Sequence, residues 1–354
     1  MKISRLCYLA AFVSSSVMAG NDIQIVGEMT QTVSTVHHNL SLSTRSTPAV
    51  REITLMKLKL SDSAQNTFKN RLHASGKKAA MPAGNYSPSV QLGMNGVPVL
   101  DQGSHGSCVT FANTAAFDAV LNKGDYLSQL CQLQLGRYFE NNAYSPSGWD
   151  GSFGHIVLSQ MEQFGVVNKE QQRAHGCGGL TEYPVSGADP ESEVNLADYH
   201  QISEPLSDKL AWSPVLDVYQ AVLQETDTKN VLEDIKKALG QGDRMTFGVL
   251  LVDFHLGVAG AVGTHHASYD SWVLTPEIID DINNGAEFGG HEMIITGYDD
   301  NAVAIDEEGR KHQGLLTLRN SWSDQIGNSG DFYMSYDYFT SLVIEAQRIR
   351  NLRG

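Results

Sequence analysis

The sequence has few charged residues for its length, and positive charge is especially scarce. Of its 354 residues 18% are charged and 41% are hydrophobic, so a folded core is expected and bulk disorder is not. The chain has 25 lysines and arginines and 40 aspartates and glutamates, which gives a formal net charge of -15. This shortage of positive charge argues against nucleic acid and against anionic membrane surfaces as partners.

Long apolar runs are also missing, since none reaches the roughly 20 residues that a membrane-spanning helix needs. The N-terminal run is short: Lys2 and Arg5 precede an apolar stretch over residues 6–13, and Val17 and Ala19 stand at the positions that a signal peptidase reads. Residues 1–19 are therefore interpreted as a signal peptide that is cleaved after Ala19. We expect the mature protein to be secreted.

Cysteine is rare as well, with four in the whole chain, and Cys7 falls inside the predicted signal peptide. The other three, Cys108, Cys131 and Cys177, would face an oxidising compartment, where an odd number indicates one pair and one free thiol. If Cys108 is the free thiol, Cys131 and Cys177 form the disulfide. The alternative is that both stay reduced and buried.

Cys108 ends a glycine-punctuated loop and opens a helical pattern. Apolar residues recur at helical spacing from 111 to 120, and Gly124 is a plausible stop. A thiol at the N-terminus of a helix meets the positive end of the helix dipole, which favours the nucleophilic thiolate. Gln102, six positions earlier, could place its amide beside an oxyanion formed at the same carbonyl. The alternative is a buried structural cysteine at a turn.

Two further motifs lie far downstream. Residues 289–298 read GGHEMIITGY, which places His291 at the head of an apolar strand. Residues 315–322 read LLTLRNSW, a strand that ends in Asn320. Each alone has a structural explanation, but a thiol, an imidazole and a carboxamide in this order are typical of nucleophilic catalysis.

These segments together resemble the papain-like cysteine proteases, the papain and cathepsin family. Residues 102–111 read QGSHGSCVTF, where the family has Gln-Gly-x-Cys-Gly-Ser-Cys-Trp-x-Phe, and residues 320–322 match its Asn-Ser-Trp. His105, Val109 and Ser323 depart from the family pattern. The resemblance covers about residues 85–340.

The resemblance implies a role for each matching residue. Cys108 would attack the carbonyl, and His291 would share its proton and later protonate the leaving amine. Asn320 would orient the imidazole ring, and Trp322 would shield that bond from water. Gln102 and the backbone N–H of Cys108 would hold the oxyanion.

Substrate binding is expected at two glycines. Residues 149–152 read WDGS, where the family has a Cys-x-Gly-Gly loop that pairs with an extended substrate, so Gly151 is expected to contact the substrate backbone. Gly290 is expected to do the same beside His291. The family has a cysteine at the positions of both Trp149 and His105, and the two form a disulfide with each other. The absence of both from this sequence is therefore consistent.

The region between the signal peptide and the first family motif is interpreted as a pro-segment. Residues 20–84 contain strand-like runs and one helix after Ser61, too little to bury a core alone, and residues 76–84 form a basic linker open to proteolysis. By its position we expect the segment to inhibit the enzyme intramolecularly, although the family's helical propeptide motif is not readable. The alternative is an accessory substructure that never blocks the cleft.

The resemblance implies an α+β fold in two parts, a helical left half and an antiparallel, β-barrel-like right half with the active-site cleft between them. The catalytic domain would span residues 85–354, with insertions near 185–226 and 253–289. The insertions account for a Cys108–His291 separation longer than the family's about 130–150 positions. No motif is readable in 185–226, which we interpret as a surface elaboration.

The predicted function is that of a secreted cysteine endopeptidase, made as a zymogen, which hydrolyses protein or peptide substrates through a thioester and acts as a monomer. The alternatives are a papain-fold pseudo-protease that binds or inhibits, and another Cys-His acyl-transfer enzyme such as a transglutaminase or a cell-wall amidase. No cofactor or metal is expected. His255, His265 and His266 have no carboxylate or cysteine at the spacing of a metal site.

Overall fold

A computed structural model describes residues 22–35, 49–75, 86–206, 210–223, 226–252, 258–259, 261–262 and 270–352. The predicted signal peptide at 1–19, the predicted linker at 76–84 and the three histidines His255, His265 and His266 lie outside the described residues. Within the described ranges, no helix combines the length and the apolar character needed to cross a membrane.

Five of the helices in the described residues have a polar N-cap side chain that accepts a backbone hydrogen bond. Ser128, for example, accepts a hydrogen bond of 2.9 Å from the backbone N–H of Cys131 and so caps the helix that begins at Gln129. The helices are α1 (Asp62–Ser75), α2 (Cys108–Leu121), α3 (Gln129–Asn141), α4 (Gly154–Phe164), α5 (Lys169–His175), α6 (Leu196–Ile202), α7 (Val218–Leu223), α8 (Thr228–Gly240), α9 (Pro276–Asn283) and α10 (Tyr336–Leu342).

The strands form one large sheet in which antiparallel pairs predominate, with β11 and β8 running parallel. The strands are β1 (Ile23–Thr35), β2 (Ala49–Leu60), β3 (Ser89–Gln91), β4 (Leu210–Leu216), β5 (Arg244–Leu251), β6 (Val258–Ala259), β7 (Ala261–Val262), β8 (Ser271–Trp272), β9 (Phe288–Ile305), β10 (Lys311–Arg319), β11 (Asp331–Ser335) and β12 (Val343–Asn351). Their main order is β4-β12-β5-β9-β10-β11-β8-β6.

The long strand β9 is the centre of this sheet. It pairs with β5 on one side and with β10 on the other, and its first residues also pair with β2. All eight residues of β5 are buried, as expected for an apolar strand that is covered on both faces.

The helical part packs against this sheet through α2. Its residues from Cys108 to Ala119 are all buried, and the helix contacts β9, β5 and β12. The helix begins at Cys108 as the sequence predicts. The disulfide between Cys131 of α3 and Cys177 is also present, and Cys108 is a free, buried thiol.

The N-terminal region folds as a β1–β2 hairpin followed by α1, and it is docked on the rest of the chain. Phe68 and Leu72 of α1 are buried, and Arg71 donates hydrogen bonds to the carbonyl oxygens of Val343 (3.1 Å) and Ala221 (2.6 Å). Since the hairpin lacks a core of its own, its stability depends on this docking.

The predicted α+β class, with a helical part and a mostly antiparallel sheet, is confirmed. One expectation needs correction: the stretch over 185–226 is more than a surface elaboration. It contributes β4, which pairs with β12 and lies at the end of the sheet order. An edge strand needs a long-range partner, and no local motif identifies that partner.

The disulfide generates a stability prediction. Replacing Cys131 and Cys177 together by alanine should lower the free energy of unfolding by about 2–4 kcal/mol, because the cross-link restricts the unfolded chain over a sequence separation of 46 residues. Urea unfolding measures the change. Reductant should shift the wild-type midpoint and leave the double variant unchanged. A wild-type curve insensitive to reductant would contradict the cross-link.

Candidate active site

The free thiol of Cys108 lies at the first residue of α2, with 0% of the residue exposed. Burial raises the pKa of this thiol to about 12. Backbone hydrogen bonds involving Glu292 and Val109 lower the pKa but do not offset the burial. The contact with Glu292 places the sulfur beside the residue that follows His291 in β9.

His291 and Asn320 are brought together by the β9–β10 pairing, which ends at the residue before Asn320. His291 Nε2 lies 2.8 Å from Asn320 Oδ1, and that oxygen also accepts a hydrogen bond of 2.8 Å from the backbone N–H of Ser321. Because Oδ1 is the acceptor in both contacts, Nε2 carries the proton of the neutral ring. Nδ1 is then the basic nitrogen; it is buried and has no hydrogen-bond partner among the described residues.

Trp322 covers the His291–Asn320 contact. Its ring stacks on the imidazole with centroids 4.5 Å apart and an interplanar angle of 24°. Trp272 and Phe332 meet the Trp322 ring edge-on, and all three aromatic side chains are buried. Burial lowers the pKa of His291 to about 4, while the hydrogen bond with Asn320 acts in the opposite direction.

Gln102 is buried and linked to the same corner of the site. Its Oε1 accepts a hydrogen bond of 2.6 Å from Ser321 Oγ, and its backbone N–H donates to the Ser321 carbonyl at 2.8 Å. Its Nε2 donates to the His105 carbonyl at 2.9 Å. An amide nitrogen has two protons, so one donor remains for a ligand.

The two glycines expected to bind substrate both contact β2 of the N-terminal region. Gly290 pairs with Met56 in the antiparallel ladder. A Cβ added at Gly151 would lie 2.7 Å from Met56 Cβ, and one at Gly290 would lie 2.8 Å from Met56 Cγ and 2.6 Å from Leu58 Cδ1. Met56 is 0% exposed. Strand β2 therefore occupies the space between these glycines.

The same strand also contacts the loop that precedes the thiol. Thr54 Oγ1 donates a hydrogen bond of 2.8 Å to the Ser104 carbonyl, and Arg51 forms an ion pair with Asp101. These contacts hold β2 against the 101–108 loop on one side and β9 on the other.

His105, at a position where the family has a cysteine, is buried in a polar and aromatic cluster. Its Nδ1 is hydrogen-bonded to Asp189, and its Nε2 lies 2.7 Å from the Pro184 carbonyl oxygen. Trp149, which stands at the other missing cysteine, packs edge-on against the His105 ring and stacks on Tyr183. Hydrogen bonds and ring contacts thus join the two loops that a disulfide joins in the family.

A group of three carboxylates lies next to this cluster. Glu28 of β1, Asp150 and Asp189 each offer an oxygen, and these oxygens lie within 4.8 Å of one another. The hydrogen bond with Asp189, followed by burial, raises the pKa of Asp150 to about 7, so the two share a proton. His105 and Arg137 supply the neighbouring positive or hydrogen-bonding groups. Nothing further points to a cation, and we assign none.

Glu292 is a residue of the site that the sequence analysis missed. It is 1% exposed, and its Oε1 accepts a hydrogen bond of 2.6 Å from Asn113 Nδ2 on α2. A signal was available in the sequence: Glu292 is a charged residue that directly precedes the apolar run over 293–295. An acidic side chain at this position is expected to be buried. Acidic side chains are rarely buried, and those that are often lie at functional sites.

No protein-family model matches this chain, and no curated protein matches it in sequence. Among solved structures, similarity is found to xylellain, a cysteine protease from Xylella fastidiosa (19% identity, 75% of this chain, 87% of that chain, TM-score 0.46). The chain is also similar to digestive procathepsin L 3 of Tenebrio molitor (18% identity, 81% of this chain, 79% of that chain, TM-score 0.48). A third similar structure is procathepsin B S9 of Trypanosoma congolense (12% identity, 76% of this chain, 78% of that chain, TM-score 0.46).

These neighbours are papain-like cysteine proteases, the family that the sequence motifs resemble. Their TM-scores all lie below 0.5.

The burial of the site generates a reactivity prediction. In the intact chain Cys108 should react slowly with iodoacetamide between about pH 6 and 9 and faster only as the pH approaches 12, because a buried thiol with a raised pKa is almost entirely protonated below that value. Site-resolved mass spectrometry of the alkylated peptide measures the rate, with a cysteine peptide of ordinary pKa as the control. Rapid alkylation of the folded chain at pH 6 would contradict the prediction.

Proposed function

We propose that this protein is a cysteine peptidase that hydrolyses peptide bonds with Cys108 as nucleophile, His291 as acid and base, and Asn320 as the residue that orients the imidazole. The observation that carries the proposal is the 2.8 Å contact between His291 Nε2 and Asn320 Oδ1 under Trp322. This contact leaves Nδ1 as the basic nitrogen of His291, and the next residue, Glu292, contacts the Cys108 thiol through its backbone.

The chemistry follows from these positions. The Cys108 sulfur attacks the scissile carbonyl carbon, and its proton passes to His291. Gln102 Nε2 and the backbone N–H of Cys108 stabilise the negative oxygen of the tetrahedral intermediate. His291 then protonates the amine that leaves, which gives a thioester. Water, deprotonated by the same imidazole, hydrolyses the thioester and regenerates the thiol.

We further propose that the N-terminal hairpin inhibits this activity, so that the full chain is a zymogen. Met56 fills the space between Gly151 and Gly290, where an extended peptide would pair with the enzyme. With β2 in place, burial keeps the thiol and the imidazole neutral. Removal of the hairpin admits water, which lowers the pKa of Cys108, raises that of His291 and allows a thiolate–imidazolium pair.

Residues 1–19 act as a signal peptide that directs secretion in this proposal. The mature enzyme then acts as an endopeptidase on protein or peptide substrates outside the cell. The acidic net charge of -15 favours neither nucleic acid nor anionic membranes as partners.

The first test concerns the nucleophile and the oxyanion donor. Cys108→Ala should abolish hydrolysis of a peptide library by the processed enzyme, a loss of about 10⁴-fold or more, because the thioester cannot form. Gln102→Ala should retain turnover with kcat lower by about 10²–10³-fold, as expected for one lost oxyanion donor. Circular dichroism checks that both variants fold. Undiminished turnover by Cys108→Ala would contradict the proposed mechanism.

A second test concerns the hairpin. Met56→Asp should raise the peptidase activity of the uncleaved chain several-fold, because a carboxylate cannot be buried between Gly151 and Gly290 without a partner. Lys59→Asp, an exposed change on the same strand, is the matched control and should leave the chain latent. Both are compared with chain cleaved within residues 76–84. If the intact wild-type chain is as active as the cleaved one, the hairpin is not an inhibitor.

A further inference from the structure

Residues 183–189 lie against the loop that leads to the nucleophile. The backbone N–H of Ser104 donates a hydrogen bond of 3.1 Å to the Val185 carbonyl oxygen. Tyr183 Oη donates one of 2.7 Å to the Gln102 carbonyl oxygen. A segment that partly lies in a stretch without a readable motif is therefore bound to the loop that carries the proposed oxyanion donor.

His105 completes these contacts with its ring, which is fully buried. Nδ1 is hydrogen-bonded to Asp189, and Nε2 lies 2.7 Å from the Pro184 carbonyl oxygen. A carbonyl oxygen only accepts hydrogen bonds, so Nε2 carries a proton. The ring also packs edge-on against Trp149 and Tyr183, with centroids 5.1 Å and 5.7 Å away. Both polar ends of the ring are thus fixed, and with them the backbone that carries it.

The backbone of His105 determines which way the Gln102 amide faces. The His105 carbonyl oxygen accepts a hydrogen bond of 2.9 Å from Gln102 Nε2, while Ser321 Oγ donates one of 2.6 Å to Gln102 Oε1. A hydroxyl can donate or accept, so Ser321 tolerates either orientation of the amide. A carbonyl oxygen only accepts, so the His105 carbonyl selects the orientation that presents Nε2.

Hydrogen bonds do here what a disulfide does in the family that the sequence resembles, where cysteines stand at the positions of His105 and Trp149. The two loops still meet, since a Cβ added at Gly106 would lie 2.9 Å from the backbone carbonyl carbon of Asp150. A disulfide there would begin three positions before Cys108, and a nearby thiolate can exchange with a disulfide. A hydrogen-bonded histidine holds the loop without offering a sulfur to attack.

We propose that His105 and Asp189 are positioning residues, whose hydrogen bond fixes the loop so that the His105 carbonyl orients Gln102 Nε2 for the oxyanion. The inference deepens the proposed function, because it rests on Gln102 being an oxyanion donor. The ring of His105 acts through the position of its own carbonyl group. Removing the ring leaves that carbonyl in the chain but frees its position, and the amide can then turn.

The first measurement is steady-state hydrolysis of a peptide that the chain cleaved within residues 76–84 is found to hydrolyse. His105→Ala should lower kcat by about 10²-fold and leave KM within about twofold, because the oxyanion forms only after binding. In the Gln102→Ala background the same change should cause no further loss, since the amide that it positions is gone. His105→Asn, whose Nδ2 can replace Nδ1 as the donor to Asp189, should recover part of the loss.

His312→Ala is the matched control. His312 is another buried histidine beside two carboxylates, with Asp306 Oδ2 at 3.3 Å and Asp337 Oδ2 at 3.7 Å. It lies near the start of β10, whereas Asn320 follows the end of that strand. Its replacement should lower the stability of the fold and leave kcat unchanged, which separates general destabilisation from a displaced Gln102 amide.

The second measurement does not depend on peptide hydrolysis. Amide hydrogen exchange of the intact chain is followed by mass spectrometry on a peptide that covers residues 102–108. Exchange should be about tenfold faster in His105→Ala and in Asp189→Ala than in wild type, and unchanged in His312→Ala. Asp189→Ala serves if His105→Ala does not fold.

Unchanged exchange in both variants would overturn the inference, as would a loss of kcat in His105→Ala that is equally large with and without Gln102. Faster exchange in the variants of a chain that cleaves no peptide would support the restraint by His105 and Asp189 and reject the proposed peptidase function. Peptide cleavage with unchanged exchange would do the reverse.

Discussion

The antiparallel pairing of β9 with its neighbours is the constraint on which the rest of the site depends. The β9–β10 register brings His291 within hydrogen-bonding distance of Asn320. The packing of α2 on the same strand brings the Cys108 sulfur to the backbone of Glu292. A slip of one residue in β9 would turn His291 to the opposite face of the sheet and separate the three groups.

Burial then determines the electrostatic state of that assembly. Cys108, His291 and Glu292 are each almost completely inaccessible, and in each case the neutral form is favoured. The site as it stands is therefore assembled but uncharged. In the proposed mechanism, activation requires that water be admitted to these buried groups.

Much of this arrangement could be predicted from the sequence, because the chemistry restricts residue types over short segments. The loop before Cys108, the histidine that opens an apolar strand and the strand that ends in Asn320 are all local patterns, and the observed helix and strands follow them. The docking of Met56 on Gly290 could not be predicted. Strand pairing joins residues that are distant in the chain, and alternation of apolar side chains indicates a strand without identifying its partner.

The same reason explains the other differences. Asp189 lies in a stretch without a motif, yet it bonds to His105 84 positions away in the chain. Glu292 stands in a strand pattern that indicates burial, but its neighbours, Asn113 of α2 and Glu345 of β12, are distant in the chain. Local patterns thus predicted the chemical groups of the site, whereas the residues that contact those groups could be identified only from the tertiary structure.

The hairpin whose Met56 lies against Gly151 and Gly290 belongs to the same polypeptide, and this has a consequence for how tightly it needs to bind. A tethered segment experiences an effective local concentration on the order of millimolar, so modest intrinsic affinity is enough to keep it in place. The Met56–Gly290 ladder spans only three residue pairs, from Met56 to Leu58. One backbone cut between Ser75 and Tyr86 would turn that intramolecular contact into a bimolecular one, and simple dilution would then favour dissociation.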